Sequence, residues 1–107
     1  MGNSSQITQW SPLPTINAEL VKELKKLGVK QISIARAIGV TPAAVSQYVK
    51  NKRGNAVKLD GQIKESVVPL ARRIASNRIG DEDVFREIYR LALLARKLRE
   101  ADSFSPF

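Results

Sequence analysis

Gln31-Ile32-Ser33-Ile34-Ala35-Arg36-Ala37-Ile38-Gly39-Val40-Thr41-Pro42-Ala43-Ala44-Val45-Ser46-Gln47-Tyr48-Val49-Lys50-Asn51-Lys52-Arg53-Gly54 reads as two short helices joined by a tight corner. Ile34, Ala35, Ile38, Val40, Val45 and Tyr48 are apolar at offsets that place them on the facing sides of the two helices. Helices crossing this closely need a small residue where the backbones approach, and Ala35 supplies it. The corner needs a residue that tolerates positive φ, and Gly39 does so without steric cost. Thr41 offers a hydroxyl as N-cap, and Pro42 suits the first helical position, where a missing N–H costs nothing. The spacing predicts one helix over 31–38 and a second over 42–51, with Val45, Tyr48 and Val49 buried.

Upstream, residues 1–14 carry no charge, contain two prolines near their end, and read as an irregular arm. Ile7, Trp10 and Leu13 recur every third residue, so Trp10 is expected to fill a groove on its own chain or on a second copy. A first helix is expected from Thr15 or Ile16 to Leu27, with Thr15 as N-cap; Ile16, Leu20, Val21, Leu24 and Leu27 give it one apolar face, and Gly28 ends it.

Downstream, Asn51 to Asn55 is a basic turn, with Gly54 expected to terminate the preceding helix. Asp60 is placed to cap a fourth helix, Gly61 to Asn77, whose buried face is Ile63, Val67, Leu70, Ala71, Ile74 and Ala75. Pro69 inside that pattern predicts a kink near Glu65 to Pro69, or two helices in place of one. After Gly80, the acids Asp81, Glu82 and Asp83 suit the positive end of a fifth helix, and so read as capping rather than as a metal site. Val84, Ile88, Leu91, Ala95 and Leu98 then alternate spacings of four and three, a heptad seam read as a dimer interface and broadened by Phe85, Tyr89, Ala92 and Leu94. The alternative reading of the seam is the core face of the last helix packed on the first and fourth helices of a single chain.

The expected fold is therefore all-α, a bundle of about five helices. Its divisions are an arm (1–14), a region of three helices that contains the two-helix unit (15–55), C-terminal helices completing the core and the dimer interface (56–101), and a flexible tail (102–107).

Composition narrows the function. The chain of 107 residues holds no cysteine and no histidine, which removes disulfides, thiolate nucleophiles, the usual zinc ligands and the commonest general base. No enzyme activity, cofactor or metal is expected. No apolar run approaches the roughly 18 to 20 residues of a membrane span, and no signal-peptide order is present, so a soluble, cytoplasmic protein is expected. The net charge is +8. Residues 15–55 have eight basic side chains against two acids, residues 56–78 five against two, and the remainder five against six. The excess falls on and just after the two-helix unit, the footprint of a polyanion partner.

Gly39 to Tyr48, closed by Lys52-Arg53-Gly54 and preceded by Leu13-Pro14-Thr15-Ile16 and Glu19-Leu20, resembles the repressor/Cro-type (XRE-like) helix-turn-helix, especially that of small archaeal transcriptional regulators. The resemblance covers Leu13 to Gly54. It implies a homodimer that binds double-stranded DNA, with the second helix of the unit in the major groove, and it implies that Gln31 braces that helix at Pro42–Ala43. Cysteines that such regulators carry near the C-terminus are absent, so no metal or thiol role transfers.

Counting around the second helix, Pro42, Ala43, Ser46, Gln47 and Lys50 face outward. Gln47 can pair bidentately with adenine, Ser46 can donate or accept at several bases, Ala43 can meet a thymine methyl, and Lys50 is the next candidate for base contact. Thr41 and Gln31 sit at helix starts, where free N–H groups favour phosphate. Lys30, Lys52 and Arg53 are expected to add charge contacts to the backbone. Lys25, Lys26 and Arg36 read as solvated faces. The Ala43-Ala44 pair leaves a small reading surface, so a dimer on two half-sites about 34 Å apart is the natural arrangement. The competing readings are a protein-interaction module such as an antitoxin, and a non-specific architectural DNA-binding protein.

Overall fold

A computed structural model describes residues 11–104, with side chains described through Ala101. Among the described residues, five helices form around one core: α1 (Leu13–Lys26), α2 (Gln31–Ile38), α3 (Pro42–Val49), α4 (Gly61–Ala75) and α5 (Asp81–Phe104). No strand occurs among the described residues. The all-α class and the helix number are as expected.

α1 is the hub and packs against all four other helices. Its Ile16, Leu20, Val21 and Leu24 have no solvent exposure, which follows from their helical spacing. The helix starts two residues earlier than expected. Pro12 stands at the N-cap and Pro14 in the first turn, while Thr15 is buried inside the helix and caps nothing. The cause is that proline fits the first turn, where N–H groups have no intrahelical acceptor, so Pro14 opens the helix instead of preceding it. The arm accordingly ends before Leu13. Ile7 and Trp10 lie outside the described residues.

At the C-terminal end of α1, the Gly28 N–H donates to the Lys25 carbonyl at 3.0 Å and the Val29 N–H to the Leu24 carbonyl at 3.1 Å, which closes the helix. α4 opens as expected, with Asp60 accepting from the Gln62 N–H at 2.8 Å. It runs through Pro69 as one element, so the two-helix alternative is set aside. Val57 and Leu59, in the segment before it, are buried in the core.

α5 corrects the expected dimer seam. Val84, Ile88, Leu91 and Ala95 are buried within their own chain, and Leu98 packs against the same core. The heptad spacing arises because α5 lies across α1, α2 and α4, and a face that covers several helices needs the same breadth of apolar residues as a dimer seam. What α5 leaves outside is a different row: Phe85, Tyr89 and Leu93. Ion pairs along the exposed side join Asp83 to Arg86 at 3.6 Å and Glu87 to Arg90 at 3.0 Å. The Arg90 hydrogen bond holds the Glu87 carboxyl below the usual glutamate range. α5 also continues through residues 102–104, which were expected in a flexible tail.

Candidate nucleic-acid interface

α3 is eight residues long and rests chiefly on α1 and α2, so one side of it is left to solvent. Ala44, Val45 and Tyr48 are buried; Pro42, Ala43, Gln47 and Lys50 are exposed, and Ser46 is half-buried. Of the five residues expected to face outward from helical spacing, four are exposed and Ser46 is partly covered. Val49 differs: it is 44% exposed instead of buried, because α3 ends there and its neighbours α1 and α2 cover the opposite side.

Three local contacts fix how α3 is presented. Gly39 takes φ +73° at the corner, a left-handed conformation that lets α2 stop and the chain reverse direction. The Thr41 hydroxyl oxygen accepts from the Ala44 N–H at 3.1 Å, capping α3. The Gln31 side-chain amide donates to the Pro42 carbonyl at 2.8 Å, which joins the first residue of α2 to the first residue of α3. Gln31, Lys30 and Thr41 are all exposed and lie along the two helix starts.

The basic segment after α3 is held at both ends. Asn51, at φ +58°, terminates α3: its N–H donates to the Tyr48 carbonyl at 3.2 Å, and the Lys52 N–H donates to the Gln47 carbonyl at 2.9 Å. Asn51, rather than Gly54, is therefore the helix terminator, since asparagine tolerates the left-handed region. Gly54 has another task. It takes φ +78°, and a Cβ there would sit 2.5 Å from the Pro14 carbonyl oxygen and 2.7 Å from the Ala18 Cβ, so the backbone of the loop lies directly on α1. Between these anchors, the Arg53 guanidinium sits 5.5 Å from the centre of the Tyr48 ring, a cation–π contact that orients it.

No carboxylate lies within ion-pair distance of Lys30, Lys50, Lys52 or Arg53 among the described residues. Their charge is available to a partner. Lys26, by contrast, pairs with Glu23 at 3.3 Å on α1, in keeping with a solvated helix face. Arg36 is exposed on α2.

Sequence reasoning missed the Arg53–Tyr48 contact and the seating of Gly54 on α1, both of which depend on how the loop returns to the bundle. It also missed the core residues Val57 and Leu59, whose alternation with Ala56 and Lys58 was the available signal. Comparison with protein-family models, curated proteins and solved structures gives no significant match.

Proposed function

We propose that the chain is a sequence-specific double-stranded DNA-binding regulator of transcription, a repressor that acts as a homodimer. In this reading α2 and α3 form a repressor/Cro-type helix-turn-helix, and α3 enters the major groove. The observation that carries it is the outward face of α3. Small and polar residues there, Ala43, Ser46, Gln47 and Lys50, are backed by a braced helix start and followed by Lys52 and Arg53, which have no carboxylate partner among the described residues.

Each part has a chemical role. Gln47 presents an amide able to donate to and accept from adenine, and one such bidentate pair is worth roughly 1 to 3 kcal/mol of discrimination. Ser46 and Lys50 reach neighbouring base edges, and Ala43 allows close approach to a thymine methyl. Lys30, Gln31, Thr41, Lys52 and Arg53 hold phosphates on either side and set the register without selecting a sequence. Occupying a promoter site blocks transcription with no further domain, which makes repression the simplest outcome. A protein-interaction surface would be expected to carry large apolar anchors, whereas those exposed near this face, Ile32 and Val49, do not form its outward row.

Titration of isotopically labelled protein with a short duplex tests the assignment by amide chemical-shift mapping. Shifts concentrated on residues 41–53 and at Lys30 and Gln31 are expected. Shifts scattered over α4 and α5 would remove α3 as the binding element.

A further inference from the structure

Phe85, Tyr89 and Leu93 are 52%, 57% and 59% exposed, and they recur every fourth residue along α5. The tip of the Phe85 ring lies on Gly39 at the α2–α3 corner, and beyond that contact the row is an exposed apolar surface among the described residues. Glu82 and Arg96, both exposed, extend the row at its two ends. Neither makes an ion pair among the described residues, although Asp83, Arg86, Glu87 and Arg90 on the same helix do.

The row has a symmetry that selects its occupant. Phe85 and Leu93 each lie four residues from Tyr89, and Glu82 and Arg96 each lie seven residues from it. A second copy of α5 laid antiparallel across the first, with Tyr89 at the two-fold axis, therefore sets Phe85 against Leu93 and Glu82 against Arg96 twice over. A two-fold interface has to be self-complementary in this way, because every residue meets its counterpart's mirror position. Asp81 and Lys97, eight residues to either side, repeat the pairing of opposite charges on the flank. Parallel packing would instead oppose like charges.

We propose that a second copy of this chain docks antiparallel on the Glu82–Phe85–Tyr89–Leu93–Arg96 row of α5, forming the homodimer. The inference deepens the two-copy reading above and rests on it for the kind of partner; it replaces the buried seam as the surface. An apolar groove of about 260 Å³, lined by Pro12, Leu13, Tyr89, Ala92, Leu93 and Arg96, runs beside the row and provides room for the partner's aromatic side chains. Three half-exposed side chains contribute roughly 100 Å² each. That is small beside the roughly 1,600 Å² of a standard interface, so the dimer is a weak one in which the charge pairs matter.

Sedimentation equilibrium of the full chain without DNA, from about 1 µM to 1 mM, tests this at low salt. A reversible monomer–dimer equilibrium is expected. Tyr89→Arg should leave a folded monomer. Glu82→Arg and Arg96→Glu should each weaken dimerisation about ten-fold, and the double variant carrying both changes should restore it. A chain that stays monomeric throughout, a dimer indifferent to Tyr89→Arg, or single variants that weaken it while the double variant fails to restore it would each overturn the proposal. DNA binding is measured separately on the same proteins, so loss of the dimer with retained DNA binding refutes this surface alone.

Discussion

The side-chain amide of Gln31 donates a 2.8 Å hydrogen bond to the main-chain carbonyl of Pro42, so the first residues of α2 and α3 are tied directly to each other. Gly39 sets the turn between these helices, and this bond ties them together at their N-terminal ends. The bond is exposed, so its net contribution to stability is about 0.5 to 1.5 kcal/mol. In the proposed role its contribution is larger in kind, because outward side chains that read bases must hold their geometry. Gln31→Ala should lower the urea midpoint only slightly while reducing the ratio of cognate to random DNA affinity. A variant that loses stability but keeps its discrimination would show that the bond does not orient α3.

Gln47 is the principal candidate for base reading. Gln47→Ala should reduce discrimination by roughly 1 to 3 kcal/mol and leave affinity for random duplex nearly unchanged. Competition binding measures both quantities together. Equal losses on cognate and random DNA would remove Gln47 from that role.

Arg53, the proposed phosphate contact, sits over the Tyr48 ring. Arg53→Ala should weaken binding to all duplexes alike and reduce the slope of log K against log salt by about 0.9, the value for one contact. Arg53→Lys should keep the slope while losing the defined orientation. An unchanged slope in the alanine variant would rule the contact out.

Gly54 lies on α1 with positive φ, and a methyl group there meets a backbone oxygen that cannot yield. Gly54→Ala should cost about 1 to 3 kcal/mol. Gly61→Ala is the control, since nothing lies within 4 Å of that position and its φ is not positive. It should be neutral or stabilising by up to about 1 kcal/mol. Thermal melts of the two variants side by side separate local strain from a general glycine effect.

Leu91 is 1% exposed in the core face of α5. Leu91→Glu buries a charge with no partner and should unfold the chain or cost several kcal/mol. A folded monomer from this substitution would return Leu91 to a dimer interface.

The parts of the fold visible in sequence are those decided by local chemistry. Pro42 after Thr41 marks the start of α3, Gly39 the corner, and Asp60 the start of α4, because caps and turns depend on residues a few positions apart. The start of α1 was displaced because Pro14 suits the first helical turn as well as the position before it. The heptad on α5 was ambiguous in principle, since apolar periodicity reports that a face is buried but not what buries it. Val84, Ile88, Leu91, Ala95 and Leu98 turned out to face α1, α2 and α4 of the same chain. In the candidate site, the outward set of α3 followed from counting around a helix. The seating of Arg53 on Tyr48 and of Gly54 on α1 depends on contacts between distant parts of the chain and left no periodic signal.

The most direct test of the central claim is selection of bound sequences from a random duplex pool at about physiological salt, where charge-driven background binding is suppressed. An enriched motif with two-fold symmetry and half-sites about 34 Å apart is expected, lost in Gln47→Ala. Recovery of DNA with no enriched motif, or of no DNA, would contradict it.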